Sequence, residues 1–256
     1  MKRNLFKKLN TPYYIYSFGW NNASAGNMVM HYLCHALNLS GETAYMFALK
    51  TNPELKTPLV STVPTDGNFI GVYPEILVGN AMKARTVVRY VLYYPGKYDI
   101  GGEVFDNKDI MYTYHEKFYP SVPILTIPVS DPNIFYRDDK VRKDITTCFY
   151  GRNKGCVTSP FTKDSIEITD VYPKTKKELA QLLRRSKIFY TYVQSSLIDE
   201  ATLCGTTVRY IPNMNMIKED IVKPSSKEKI LKREDIFWKQ LDRFIEDTQR
   251  RHREVA

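Results

Sequence analysis

Residues 191–208 read Thr-Tyr-Val-Gln-Ser-Ser-Leu-Ile-Asp-Glu-Ala-Thr-Leu-Cys-Gly-Thr-Thr-Val, and their spacing points to anion chemistry. A β-branched and aromatic run ends in the pair Ser195 and Ser196, and an apolar-periodic run starts at Leu197. That order sets two hydroxyls at the mouth of a helix, where free backbone N–H groups favour an anion such as a diphosphate. Glu200 falls about one turn further on, where a carboxylate can accept both hydroxyls of a ribose. Either serine is equally suited to capping the helix. Other signatures are missing from the sequence: no Gly-x-Gly-x-x-Gly after a strand, no P-loop and no Gly-x-Ser-x-Gly. His31 and His35 stand four apart on a predicted helix, but no third ligand accompanies them, so no metal is expected. Cys34, Cys148, Cys156 and Cys204 form no Cys-x-x-Cys pair and read as free, buried thiols in a reducing compartment.

These residues need a frame. Residues 13–18 are β-branched and aromatic, as a buried strand requires. A small-residue loop leads into a helix over 26–39, with Met28, Tyr32, Ala36 and Leu39 at helical spacing and Gly41 as its stop. Strands follow at 43–48 and 68–73, around a proline-bearing loop at 50–66. Residues 82–92 read as a helix with Val87, Val88, Val91 and Leu92 on one face, then short strands at 110–114 and 124–129. A polar, basic stretch at 131–143 suggests a linker. Beyond it come strands at 146–150, 166–169, 187–192 and 207–211 and a short helix at 197–204. The capping box Thr175-Lys-Lys-Glu178 opens a further helix bearing Leu179, Leu182 and Leu183. A long amphipathic helix over 230–253 ends the chain, with Ile236, Phe237, Leu241, Phe244 and Ile245 on one face.

Strands that alternate with helices imply parallel sheets covered on both sides, with ligands beyond the carboxyl ends of the strands. Two such runs predict an α/β protein of two Rossmann-like domains with a cleft between them. The expected division is 1–140, 141–228 and a C-terminal helix, 229–256, packing back on the first domain.

The 256 residues are 43% hydrophobic and 25% charged, enough for a core in each half and against disorder. No apolar run approaches the ~20 residues that cross a bilayer. The N-terminus carries charge without an apolar h-region, so a cytoplasmic protein is expected. The net charge of +9 is concentrated: residues 1–10 hold four Lys/Arg and no acid, and residues 137–187 hold thirteen against seven acids. Such zones attract nucleic acid, anionic lipid or a phosphorylated ligand, or are simply solvated. From residue 217 onward the balance is eleven basic to nine acidic, unlike the one-sided excess of nucleic-acid-binding helices. Leu5, Phe6 and Leu9 among the N-terminal lysines suit weak peripheral contact with an anionic membrane, or a frayed terminus.

Glu200-Ala-Thr-Leu-Cys-Gly-Thr-Thr-Val208 resembles the C-domain signature of GT-B glycosyltransferases, a glutamate followed by Ala, an apolar pair and Cys-Gly-Thr-Pro-Val. Phe149-Tyr-Gly-Arg-Asn-Lys-Gly155 is similar to the family's Gly-Arg…Lys-Gly at the first strand of that domain. The resemblance implies that Glu200 binds the ribose of a nucleotide sugar and that Ser195 and Ser196 hold its diphosphate. It gives Arg152 and Lys154 the task of neutralising the departing nucleoside diphosphate. Residues 70–96 also look like bacterial surface-polysaccharide glycosyltransferases, including those of lipopolysaccharide synthesis. Eight residues before Glu200 the chain has Tyr192, where retaining members of the best-known family carry a second glutamate.

In the first half, the small-residue loop 20–27 follows the first strand, where GT-B enzymes face their cleft, and Gly26 would admit close backbone approach. Ser24 there equally suits a helix cap. Glu75, His115 and Glu116 follow strand ends and are candidates for a general base, though each also suits a surface or capping role. The expected function is transfer of a sugar from a nucleotide-diphosphate sugar to a glycan or lipid-linked acceptor. Neither cofactor, metal nor nucleic acid is expected. The alternatives are a basic nucleic-acid-binding module and another nucleotide-using α/β enzyme such as an epimerase.

Overall fold

The computed structural model describes residues 10–21, 24–96, 105–151, 159–169, 171–193, 195–211 and 225–255. The chain divides into one unit of Met1–Ile127 with Glu234–Ala256, and a second of Pro128–Arg233.

In the first unit the β-branched and aromatic runs become β1 (Tyr13–Tyr16), β2 (Ala44–Phe47), β3 (Leu59–Val60), β4 (Ile70–Pro74), β5 (Thr86–Val91) and β6 (Ile110–Thr113). They pair in parallel in the order β3-β2-β1-β4-β5-β6. This is the order of doubly wound nucleotide-binding sheets, and its direction reverses between β1 and β4. Helix α1 (Ala25–Leu39) links β1 to β2. Ser24 caps it by accepting the Asn27 N–H at 3.3 Å, and Gly41, at φ +85°, supplies the left-handed turn that ends it.

Residues 82–92 do not form the expected helix. Most of them are β5, with Val88, Tyr90 and Val91 fully buried. An interior parallel strand is covered on both faces, so its valines and Tyr90 form a nearly continuous apolar run with no alternation to betray it. Residues 124–129 form no strand either. Ile124 makes a single bridge to Thr113, and side chains hold the rest: the Tyr90 hydroxyl donates to the Leu125 carbonyl and the Thr126 hydroxyl to Tyr114 O at 2.7 Å. The 50–66 loop contains the two-residue β3.

Arg89 of β5 is only 2% exposed, and all of its charge is answered within the unit. It pairs with Asp109 at 2.7 Å, donates to the carbonyls of Leu77 and Gly79, and lies over the Tyr73 ring at 4.9 Å.

The C-terminal run breaks at Lys232 into α4 (Lys227–Leu231) and α5 (Arg233–Val255). Phe237, Leu241 and Phe244 of α5 are buried in the first unit, Phe244 against Tyr13 at 6.0 Å and Tyr112 at 4.8 Å. Ile236 was expected on that apolar face but is 52% exposed, because one residue turns the helix by about 100°. Polar groups finish the contact: Thr248 bonds Tyr13 at 2.8 Å, Gln249 brackets the Thr11 backbone, and His252 Nδ1 meets Thr86 at 2.7 Å.

The second unit holds β7 (Ile145–Tyr150), β8 (Ile166–Ile168), β9 (Ser186–Thr191) and β10 (Thr207–Tyr210), parallel in the order β10-β9-β7-β8. Helix α2 (Lys176–Arg185) starts at the Thr175 cap, whose hydroxyl accepts the Glu178 N–H at 3.1 Å. Its Leu179, Leu182 and Leu183 pack with Cys148 and Phe189 of the sheet, and with Ile198 and Ala201 of α3 (Leu197–Leu203).

Candidate functional site

In the second unit β7 and β9 lie side by side, with β8 beyond one and β10 beyond the other. Connections leaving such a pair diverge, and that opening is where α/β sheets bind ligands. Strand β9 runs through Tyr192 and Val193 towards Ser195, Ser196 and α3. Ser196 takes helical angles (φ −61°, ψ −22°) and makes no side-chain cap. The Ser195 carbonyl accepts the Ile198 N–H at 3.3 Å, while its hydroxyl is buried without a hydrogen-bond partner. Capping therefore uses neither hydroxyl. Strand β7 ends at Tyr150, and Arg152 and Lys154 lie outside the described residues, as do residues 1–9 and Cys156.

Glu200, on α3, is 0% exposed. Its Oε1 accepts Lys176 Nζ at 2.8 Å, and its Oε2 has no partner. Burial raises its pKa, the Lys176 ammonium opposes that rise, and Asp199 adds to it. One carboxylate oxygen is thus engaged by the protein and the other is not. Lys176 sits in the first turn of α2, 22% exposed, with Nζ 5.6 Å from the centroid of Phe135. The sequence reading did not single it out. Its signal was a cation in the first turn of a helix, where the dipole favours an acid. On the other side of α3, Asp199 pairs with Arg233, which also donates to Ser225 at 2.9 Å.

In the first unit Glu75 directly follows β4 at the β1/β4 reversal. It is buried, and its Oε2 accepts the Leu92 N–H at 2.9 Å just past β5. Burial raises its pKa against the backbone N–H bonds that lower it. Gly26 is the second residue of α1, and a Cβ there would meet Leu92 Cδ1 at an ordinary 3.6 Å, so space alone does not require glycine.

Two further groups stand at the carboxyl end of β1. The Ser17 hydroxyl is buried without a partner. His31 is fully buried, with Nε2 3.4 Å from Phe18 O, its ring edge-on to Trp20 at 5.3 Å, and Nδ1 unpartnered. Burial lowers its pKa, so the ring is neutral at pH 7. His35 turns its Nδ1 to the Lys56 N–H at 2.8 Å, so the two histidines share no ligand. Among the described residues no group of three His, Cys, Asp or Glu side chains could hold a metal ion.

His115 and Glu116 are exposed beyond β6, two strands away from β4. His115 Nδ1 accepts the Lys117 N–H at 3.1 Å and its ring meets Phe118 at 5.7 Å, which makes a local turn. The structure thus brings together Ser195, Ser196, Glu200 and Lys176, and separately Glu75 and Gly26, which both approach Leu92. Burial pushes the thiols of Cys34 and Cys204 up to about 12 and that of Cys148 to about 11, which makes all three poor nucleophiles. No helix among the described residues is long and apolar enough to cross a membrane.

No family model and no curated protein matches the chain. Among solved structures, a protein described as a UDP-N-acetylglucosamine 2-epimerase from Listeria monocytogenes aligns with 97% of this chain and 92% of its own. The identity is 11% and the TM-score 0.45, a likeness that bears on neither family nor activity.

Proposed function

We propose that the protein is a GT-B-type glycosyltransferase that moves a sugar from a nucleotide-diphosphate sugar to a glycan or lipid-linked acceptor in surface-polysaccharide synthesis. The observation that carries this reading is the half-satisfied Glu200 one turn from the unpartnered Ser195 hydroxyl, at the strand reversal of a parallel sheet. A buried acceptor left without a donor costs about 1–3 kcal/mol, which a ligand hydroxyl at Oε2 would relieve. Their placement agrees with the motif resemblance, which rests on sequence alone.

In this reading the second unit holds the donor. Glu200 grips the ribose, Ser195 and Ser196 bond the diphosphate, and Arg152 and Lys154 offset the negative charge that builds as the nucleoside diphosphate leaves. The bond from the anomeric carbon to the phosphate oxygen breaks and one to the acceptor oxygen forms. Among the three candidate bases Glu75 is the buried one, and burial raises its pKa, the direction that work as a general base requires. No metal is needed if the two cations carry the phosphate charge.

A thermal-shift screen of the full chain with UDP, GDP, TDP, ADP and CMP tests the reading. A ligand at 100 times its Kd should stabilise the fold by about 2.7 kcal/mol. Arg152→Ala or Lys154→Ala should then lower transfer by roughly 10²-fold with the fold intact. Absence of a shift with every nucleotide would overturn the proposal.

A further inference from the structure

The ion pair between Lys176 and Glu200 divides the carboxylate into two unequal oxygens. Oε1 is occupied by the ammonium at 2.8 Å, whereas Oε2 is buried with no donor. The lysine comes from the first turn of α2 and the glutamate from α3, so two helices fix the geometry. A lysine in that turn opposes the helix dipole, so it adds nothing to α2 by itself. Asp199, the residue before it on α3, disfavours its charge, while Lys176 favours it.

We propose that Lys176 is a positioning residue of the nucleotide site, holding Oε1 so that Oε2 is the open oxygen that meets a ribose hydroxyl. The inference rests on the nucleotide-sugar reading and adds a specificity to it. A free carboxylate offers two equivalent oxygens to the ribose hydroxyls, whereas here one is held by an ammonium and the other is open. The protein therefore discriminates sharply at one ribose position and hardly at the other. The ammonium opposes the rise that burial gives the Glu200 pKa and so favours the charged carboxylate.

Titration calorimetry on the full chain tests this, using uridine, guanosine, adenosine and cytidine diphosphates, then the 2′-deoxy and 3′-deoxy forms of whichever binds most tightly. Loss of the hydroxyl that meets Oε2 should weaken binding about tenfold or more, and loss of the other less than about twofold. Lys176→Met should weaken the parent diphosphate by about tenfold, and its affinity should fall more steeply than that of wild type as pH drops from 8 to 6. Lys176→Arg should keep most of the affinity, which a merely steric role would not require. Equal losses for the two deoxy forms, or Lys176→Met binding as tightly as wild type or tighter, would overturn the role of Lys176 and leave the nucleotide reading standing. Wild-type protein that binds none of the four diphosphates would overturn both.

Discussion

Arg89 and Glu200 are both buried charges, one in each unit, and their surroundings differ in a single respect. Arg89 has a carboxylate partner that is itself 5% exposed, two backbone carbonyls and an aromatic face. Glu200 has one ammonium, and half of its carboxylate meets nothing. Desolvating a charge costs several kcal/mol, and excellent geometry must offset it. In Arg89 the protein supplies that geometry alone, which is how a structural charge looks. In Glu200 the supply is incomplete, and a ligand hydroxyl would complete it. Satisfaction, more than burial, distinguishes the two charges.

The largest effect should come from breaking the complete case. Arg89→Met leaves Asp109 buried without its cation and two carbonyls without donors, and should cost about 3–5 kcal/mol in urea denaturation. A loss below about 1 kcal/mol would mean that this charge is no more structural than Glu200. Glu200→Gln sharpens the contrast. It removes the cost of a buried carboxylate along with its ion pair, so stability should change by only about 1 kcal/mol while nucleotide affinity falls about tenfold. A large stability loss with unaltered donor KM would instead place Glu200 in the frame.

A smaller effect concerns pH. The His31 pKa is lowered in the fold, so near pH 6 the unfolded chain binds a proton that the folded chain refuses. Stability is therefore full above about 6.5 and falls as pH drops below it, by up to about 1.4 kcal/mol per unit. His35 and His252 are lowered as well and add to the same slope. Melting temperatures between pH 5 and 7.5 should show a shallower slope in His31→Asn than in wild type, and equal slopes would contradict the assignment. The smallest stability effect belongs to Ser195→Ala. With no hydrogen bond to lose, it should shift stability by less than about 0.5 kcal/mol, yet weaken the diphosphate.

Much of this frame was legible in the residues. The Thr175 capping box, the 13–18 and 207–211 strands and the Gly41 stop act through local rules that a sequence carries openly. Residues 82–92 misled because a strand covered on both faces has no alternating pattern, and its valines also fit a helical stripe. Arg89 inside that run gave no hint of burial, since its partner lies 20 residues away. The Ser195–Glu200 motif was visible, but its state of satisfaction was not. Lys176 approaches Glu200 across 24 residues, and only the packing of α2 on α3 brings them together. Ser17 and His31 were similarly hidden, because an unpartnered atom is a property of the folded surroundings.

The central claim is that the unsatisfied half of Glu200 marks the nucleotide site. A crystal structure of the full chain with its tightest-binding nucleoside diphosphate tests it most directly. The expected result is a ribose hydroxyl at about 2.6–2.8 Å from Glu200 Oε2, Lys176 still on Oε1, and a phosphate oxygen on the Ser195 hydroxyl. A nucleotide bound elsewhere, with Oε2 met only by water, would contradict it.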